Sequence, residues 1–223
     1  MRPVRFFAAW LLAALVLSGS GPALAAQAAP GTSGRPPAVA ELRAPQQHVC
    51  GDSIFGPVEL SSRPPFDRLF TGYERPTDEV ACREFLETWG YVDEQGRKRW
   101  TYPDNNGFEG EPRRIAIEPG MLLDRFGNST GGFLAPAGAL YRERSLPPTN
   151  LNTPSGGPQH NYHVYEVLQP FDVDAGPAAA WFGQPGGGLQ YWLNPEYKPT
   201  EDLAPYNVDY LLANRFVREV QPK

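Results

Sequence analysis

The sequence contains few residues of the types that build metal and redox centres. It has two cysteines and three histidines among 223 residues. Cys50 and Cys82 do not form a C-x-x-C pair, so they provide neither zinc-finger spacing nor a dithiol redox motif. An H-E-x-x-H pattern is also missing. We therefore expect no metal site.

An excess of positive charge is missing as well. The chain has 20 basic and 25 acidic side chains, which gives a formal net charge of −5 at pH 7. Nucleic-acid-binding domains present clustered Lys and Arg side chains, and this balance offers no such basic surface. We therefore expect no nucleic-acid partner.

The apolar run at residues 6–17 is shorter than the roughly 20 residues that span a bilayer. It follows two arginines, Arg2 and Arg5, and precedes the small-residue sequence Ala23-Leu24-Ala25. This arrangement is typical of a secretory signal peptide, which we assign to residues 1–25. We expect a secreted protein without a stable membrane anchor; a retained anchor is the alternative.

Residues 26–45 are rich in Ala, Pro and Gly, and they cannot bury enough apolar surface to fold. We expect a disordered leader there, followed by a small N-terminal unit at residues 46–99. Because the chain is predicted to be exported, Cys50 and Cys82 are expected to form a disulfide. In the chain-entropy description such a bridge contributes about 3–4 kcal/mol.

A helix is predicted inside this unit from Asp78 to Trp89. Ala81, Phe85 and Trp89 recur at helical spacing and give one apolar face. We expect Thr77 to cap the helix and Gly90 to end it as a C′ residue.

Residues 100–223 form the second predicted unit. The 25 prolines and 23 glycines favour short strands and turns over a helical bundle, so the fold class is α+β and rich in sheet. Strands are predicted at 121–127, 162–168, 189–193 and 217–220, turns at 131–138 and 175–177, and a short helix after Asn207.

Three consecutive glycines, residues 186–188, precede one of these strands. Such a run marks positive φ or close approach of the backbone to another group. Gln190 follows on the strand, on the face opposite Tyr191. A polar amide beside a glycine turn is a candidate ligand contact. The alternative is a glycine-rich hairpin whose glutamine caps backbone groups.

Arg125 and two histidines are further candidates. Arg125 and Phe126 end a strand, where a guanidinium fork suits a phosphate and a ring offers a stacking face. The alternative is a surface ion pair of Arg125 with Asp124 or another carboxylate, which contributes little to stability. His160 and His163 begin the strand at 162–168, and each is either a proton relay or a hydrogen-bonded structural residue.

Five motifs occur in one order along the second unit. They are L-D-R-F-G (123–127), G-x-F-L-A-P-A-G (131–138), R-S-L-P-P (144–148), Y-H-V-Y-E-V (162–167) and W-F-G-Q-P-G-G-G-L-Q-Y (181–191). Together they resemble the tuberculosis necrotizing toxin (TNT) family of NAD+ glycohydrolases. The motifs at 48–52, 55–60 and 100–108 resemble the secreted fungal-surface branch, whose members carry an N-terminal thumb and form homodimers.

The resemblance implies a compact, mainly antiparallel sheet that cleaves the bond between nicotinamide and ribose. NAD+, and by the same resemblance NADP+, would be the substrate, with no cofactor. Arg125 and Gln190 match the catalytic residues of the family, and His160 or His163 matches a histidine important in some members; Gln184 is a nearby glutamine outside the match. The implied substrate-binding residues are Phe126, Phe133, Trp181, Gly187 and Gly188.

Other consequences of the resemblance are less direct. A homodimer and an immunity protein are implied as partners. The calcium site of fungal members is not carried over, because residues 213–216 lack paired carboxylates. A mono-ADP-ribosyltransferase and a non-catalytic secreted nucleotide-binding module stay open as alternative functions, because both would use the same groove.

Overall fold

The computed structural model describes residues 47–201 and 203–222. The predicted signal peptide and leader lie outside the described residues, as does Asp202. Within the described ranges, no helix has the length and apolar character that crossing a membrane requires. The boundary placed between residues 99 and 100 stays a prediction.

The described residues form a two-stranded hairpin and a larger antiparallel sheet. The strands are β1 (Gly90–Val92), β2 (Lys98–Trp100), β3 (Arg113–Ile117), β4 (Leu122–Phe126), β5 (Phe133–Pro136), β6 (Tyr162–Val167), β7 (Phe171–Pro177), β8 (Leu189–Trp192) and β9 (Val217–Val220). Strands β1 and β2 make the hairpin, and the larger sheet has the order β3-β7-β8-β5-β4-β6-β9, with all neighbours antiparallel. The predicted α+β class with a mainly antiparallel sheet is confirmed.

In the described part of the chain, three short α-helices accompany the sheet: α1 (Phe66–Leu69), α2 (Glu79–Trp89) and α3 (Val208–Ala213). Helix α3 packs Val208 and Leu211, both fully buried, on one face of the sheet. That face presents alternate residues of the strands, among them Leu123 of β4 and Tyr191 of β8. Gln190 and Trp192 alternate with buried Tyr191 and Leu193 as expected.

A second core lies under α1. Phe66 and Leu69 of α1 pack with Phe126, Tyr141 and Tyr162. Phe126 is the last residue of β4, and its ring meets the Tyr141 ring edge-on at 4.9 Å. Asp124 and Arg125 precede Phe126 on β4. Because neighbouring residues of a strand face opposite sides, these two side chains have different surroundings.

The ends of α2 differ from the prediction. Asp78, and not Thr77, is the N-cap: its carboxylate accepts hydrogen bonds from the amides of Val80 and Ala81, both at 3.0 Å. A carboxylate one residue closer to the helix reaches these amides directly and also complements the helix dipole. Gly90 is extended and starts β1, and a Cβ there would lie 2.5 Å from the Arg99 carbonyl oxygen, so glycine is needed for strand contact.

Two predicted turns are wrong, because strands occupy them. Residues 133–136 form β5, and residues 175–177 are the end of β7. Glycine and proline are turn signals, but here Gly176 makes room for a ring: a Cβ would lie 3.1 Å from Cδ1 of Phe108. Pro177 is the last residue of its strand, and its carbonyl accepts from the Glu109 amide at 2.9 Å.

The predicted disulfide between Cys50 and Cys82 is confirmed. It joins the turn at Val49–Gly51 to α2. Thr149 connects this region to the rest: its hydroxyl donates to the Ile54 carbonyl at 2.6 Å and accepts from the Trp100 indole at 2.8 Å.

Candidate active site

A cleft opens where β5 passes between two partners. The first two residues of β5 pair with β8 and the last two pair with β4, so the two halves of the sheet separate here. An inner recess is lined by residues 124–126, 133–135 and 188–190 with Arg144, Leu146 and Ala178. An outer recess of about 320 Å³ is lined by residues 102–107 with Phe133, Arg144, Ser145, Leu146 and Gln190. Four residues, Phe133, Arg144, Leu146 and Gln190, line both.

Arg125 is half-buried in the inner recess. Its Nε donates to the Asn128 carbonyl at 2.8 Å and its Nη1 to the Phe133 carbonyl at 2.7 Å. Gly131 accommodates the guanidinium, since a Cβ at that position would lie 1.8 Å from Nη2. Burial lowers the pKa of the Arg125 guanidinium from its ordinary value, yet an arginine stays charged at any physiological pH.

The alternative of an Arg125–Asp124 ion pair is wrong. Neighbouring residues on a strand face opposite sides, and Asp124 is paired with Arg144, with Nη1 of Arg144 2.5 Å from Oδ1. Asp124 also accepts from the Gly138 amide and the Tyr162 hydroxyl, each at 2.7 Å. Among the described residues, Arg125 has no carboxylate within ion-pair distance. Its positive charge is therefore available to an anionic ligand.

Gln190 reaches across the cleft to the turn at residues 104–108. Its Nε2 donates to the Asn106 carbonyl at 2.9 Å. The amide thus lies between the two recesses, with β8 on one side and this turn on the other. Arg125, Phe133 and Gln190, which are far apart in sequence, line the same recess.

The glycine run packs against main chain. The Gly188 amide donates to the Glu143 carbonyl at 3.0 Å, and the Gly187 amide donates to the Ala178 carbonyl at 2.7 Å. A Cβ at Gly188 would lie 2.7 Å from the Glu143 carbonyl oxygen. Close backbone approach therefore explains why residue 188, which also lines the inner recess, is a glycine. Gly187 has φ 80° and open space around its Cβ position.

The three predicted aromatic contacts have different positions. Phe133 lines both recesses and stacks on Trp192 with ring centres 6.5 Å apart. Phe126 borders the inner recess, but its side chain is buried in the second core, with the Arg144 guanidinium 5.2 Å above its ring. Trp181 lines neither recess: its indole donates to the Thr101 carbonyl at 2.7 Å and its ring packs on Trp89.

Neither histidine lines the cleft. His160 is buried, with Nε2 accepting from the Ser61 amide at 3.0 Å and Nδ1 donating to the Leu151 carbonyl at 3.3 Å. Burial lowers the pKa of His160, and both of its ring nitrogens are engaged in hydrogen bonds. His163 lies opposite Arg125 in the sheet register, and its Nδ1 contacts Glu219 Oε1 at 2.7 Å. The geometry favours the structural alternative for His160.

Gln184 is placed apart from the cleft. It is buried, and its Nε2 donates to the Glu74 carbonyl at 2.7 Å. The described residues contain no group of three or more His, Cys, Asp or Glu side chains placed to hold a metal ion.

Some cleft residues were not predicted as site residues. Tyr102, Asp104 and Asn106 line the outer recess, and Arg144 lines both. The sequence signals were the aromatic-rich turn at 100–108 and the R-S-L-P-P motif, but neither indicated which side chains would face Gln190.

Residues 116–220 match the sequence model of the tuberculosis necrotizing toxin family.

One relative is the conidial surface nicotinamide adenine dinucleotide glycohydrolase nadA of Aspergillus fumigatus, which is 45% identical over 150 residues. The alignment covers 65% of this chain and 63% of the relative, which is less than two thirds of its length. Among solved structures, tuberculosis necrotizing toxin complexed with its immunity factor IFT is similar with a TM-score of 0.47 and 23% identity, over 78% of this chain and 80% of that one.

Proposed function

We propose that this chain is an NAD+ glycohydrolase, which hydrolyses the nicotinamide–ribose bond of NAD+ to give nicotinamide and ADP-ribose. The observation that carries the proposal is a half-buried arginine without a carboxylate partner among the described residues, in one cleft with Gln190 and Phe133. NAD+ carries an anionic pyrophosphate and a planar nicotinamide, which suit a guanidinium and an aromatic ring. The name of the 45%-identical relative supports this substrate.

In this proposal Arg125 holds the pyrophosphate. Two of its donors are engaged by the carbonyls of Asn128 and Phe133, which fixes the plane of the guanidinium. A pre-oriented cation loses little conformational entropy when it binds a phosphate. Phe133 borders both recesses and would contact the nicotinamide ring.

Departure of nicotinamide leaves positive charge on the ribose, so acceptors and carboxylates near the ribose would lower the barrier. Two carboxylates, Asp104 and Asp124, belong to described residues that line the recesses. Asp124 is neutralised by Arg144. Asp104 is exposed at the outer recess, and we assign it, with Gln190, the stabilisation of the developing charge.

Two alternative functions use the same groove, and one experiment separates the three. The purified protein is incubated with NAD+, and free nicotinamide and ADP-ribose are measured with and without an acceptor protein. A glycohydrolase releases both products without an acceptor, whereas a mono-ADP-ribosyltransferase labels the acceptor. A non-catalytic binding module binds NAD+ and releases nothing, and this result would refute the proposal.

The finer properties are proposals too. Secretion after removal of residues 1–25 agrees with the conidial surface location in the relative's name. Cleavage of NADP+, a homodimer and an immunity protein follow from the family resemblance alone. Size-exclusion chromatography with light scattering tests the dimer, and the same nicotinamide assay tests NADP+.

A further inference from the structure

The turn that faces Gln190 has an unusual backbone. Three consecutive residues have positive φ: Asn105 (54°), Asn106 (51°) and Gly107 (76°). This region is unfavourable for residues with a Cβ, although asparagine tolerates it better than most. Such conformations persist where the surrounding structure fixes them, and they cluster at functional sites.

Contacts on both sides fix this turn. The Gly107 carbonyl accepts from the Ala179 amide at 2.8 Å, and buried Phe108 forms a β-bridge with Ala178 just after β7. The Asn105 side chain donates to the Gly110 carbonyl at 2.7 Å. The turn is thereby attached to the end of β7.

Strand β7 also fixes Gln190, because Gly176 of β7 pairs directly with Gln190 of β8. The Asn106 carbonyl and the Gln190 side chain are therefore held by one strand, and they meet at 2.9 Å. A carbonyl can only accept, so Nε2 of Gln190 must face the turn and Oε1 must lie at the other end of the amide. No described residue hydrogen-bonds to Oε1, so it is available as an acceptor.

We propose that Asn106 is a positioning residue whose backbone carbonyl, presented by the left-handed turn, orients the Gln190 amide so that Oε1 accepts from the substrate. The chemical partner is a hydroxyl donor, such as a ribose hydroxyl, and the inference rests on the proposed glycohydrolase function. Asn106 lies outside residues 116–220, so the region that matches the TNT family model receives this orientation from the preceding segment.

Two substitutions at Asn106 distinguish the role of its backbone conformation from that of its side-chain amide. Asn106→Gly and Asn106→Val both remove the side-chain amide, but glycine adopts positive φ readily and a β-branched residue does not. We expect Asn106→Gly to keep near-normal turnover. Asn106→Val should lower kcat roughly tenfold, as expected for loss of one hydrogen bond that orients a reacting group. Its KM should change by less than about threefold, because binding through Arg125 is retained.

A spectroscopic readout does not depend on activity. The side-chain amide resonances of Gln190 are identified by NMR from their disappearance in Gln190→Glu. The Gln190 amide resonances should have the same chemical shifts in wild-type protein and Asn106→Gly, and different chemical shifts in Asn106→Val. Gly96→Val is the matched control: Gly96 also has positive φ (74°), in the turn between β1 and β2 with no contact near its Cβ position. It should change neither kcat nor the Gln190 resonances.

The outcomes are distinct. Normal kcat with unshifted Gln190 resonances in Asn106→Val overturns the proposal, as does equal loss of kcat in Asn106→Gly. If Asn106→Val does not fold, Asn106→Ala replaces it, because an unbranched side chain strains the left-handed turn less than a β-branched one. If wild-type protein releases no nicotinamide, the proposed function fails, and the amide resonances alone decide whether the turn orients Gln190.

Discussion

Replacing Arg125 with alanine is expected to weaken NAD+ binding more than it slows the chemical step. The substitution removes a cation that has no carboxylate partner among the described residues, and with it a charge-assisted contact to phosphate of about 1.5–3 kcal/mol. That energy corresponds to a rise in KM of roughly tenfold or more. The pyrophosphate does not change during cleavage, so the contact is equally strong in the ground and transition states and kcat should change less.

The same substitution also affects stability. It leaves the carbonyls of Asn128 and Phe133 without their donors, but it removes the cost of burying the guanidinium, which is reflected in the lowered pKa of Arg125. We expect a net loss of about 1–2 kcal/mol, or a decrease in Tm of roughly 2–8 °C. Differential scanning fluorimetry measures this decrease alongside the kinetics.

The assay is initial-rate nicotinamide release over a range of NAD+ concentrations, with ADP-ribose binding measured by calorimetry. Arg218→Ala is the control, because Arg218 forms an exposed ion pair with Glu166 on β6 and should leave both KM and Tm nearly unchanged. If folded Arg125→Ala keeps wild-type KM and ADP-ribose affinity, Arg125 does not hold the pyrophosphate.

Four further expectations follow from the same contacts. Alkylation of the non-reduced protein should detect no free thiol, and Cys82→Ser should lower the free energy of unfolding by about 3–4 kcal/mol as judged by urea titration. Gln184→Ala should lower Tm more than Gln190→Ala does, because Gln184 is buried and hydrogen-bonded to the main chain. Gln190→Ala should instead lower kcat. The reverse pattern would show that the wrong glutamine was assigned. Asp104→Asn should lower kcat by roughly tenfold or more with KM little changed, and unaltered kcat would remove Asp104 from the charge-stabilising role. His160 has a folded-state pKa below its unfolded value, so its contribution to stability is complete above about pH 6.5 and is lost as the pH falls. The Tm measured from pH 7.5 to 5 should therefore fall less in His160→Gln than in the wild type. Identical Tm profiles would contradict this account.

Much of the sheet could be predicted because its strands have local signatures. Strands β4, β6, β8 and β9, together with α2 and α3, were expected from alternation and helical spacing and are present. The sequence predicts turns at β5 and at the last three residues of β7, because glycine and proline occur there. Their strand character depends on pairing with distant segments, which local patterns do not record.

The site was predictable in part. The family resemblance implies site roles for Arg125, Phe133 and Gln190, which stay predictions, and all three line the inner recess. The contact between Gln190 and Asn106 spans 84 residues of sequence, and nothing near either residue indicates it. The pairing of Arg144 with Asp124 spans 20 residues, and it explains why the Asp124 charge is neutralised while that of its neighbour Arg125 is not.

Because of the way the glycine run packs, substitutions are excluded at two of its glycines more strictly than at the residues these glycines contact. A Cβ at Gly186 would lie 2.5 Å from the Ala178 carbonyl oxygen, and one at Gly188 would meet the Glu143 carbonyl oxygen at 2.7 Å. The partner atoms belong to the peptide backbone, which every residue type supplies. Half-buried Glu143 can therefore be exchanged without losing this contact and buried Ala178 only for another small residue, whereas neither glycine can be replaced. A library that randomises all four positions should recover varied residues at 143, small residues at 178, and glycine alone at 186 and 188.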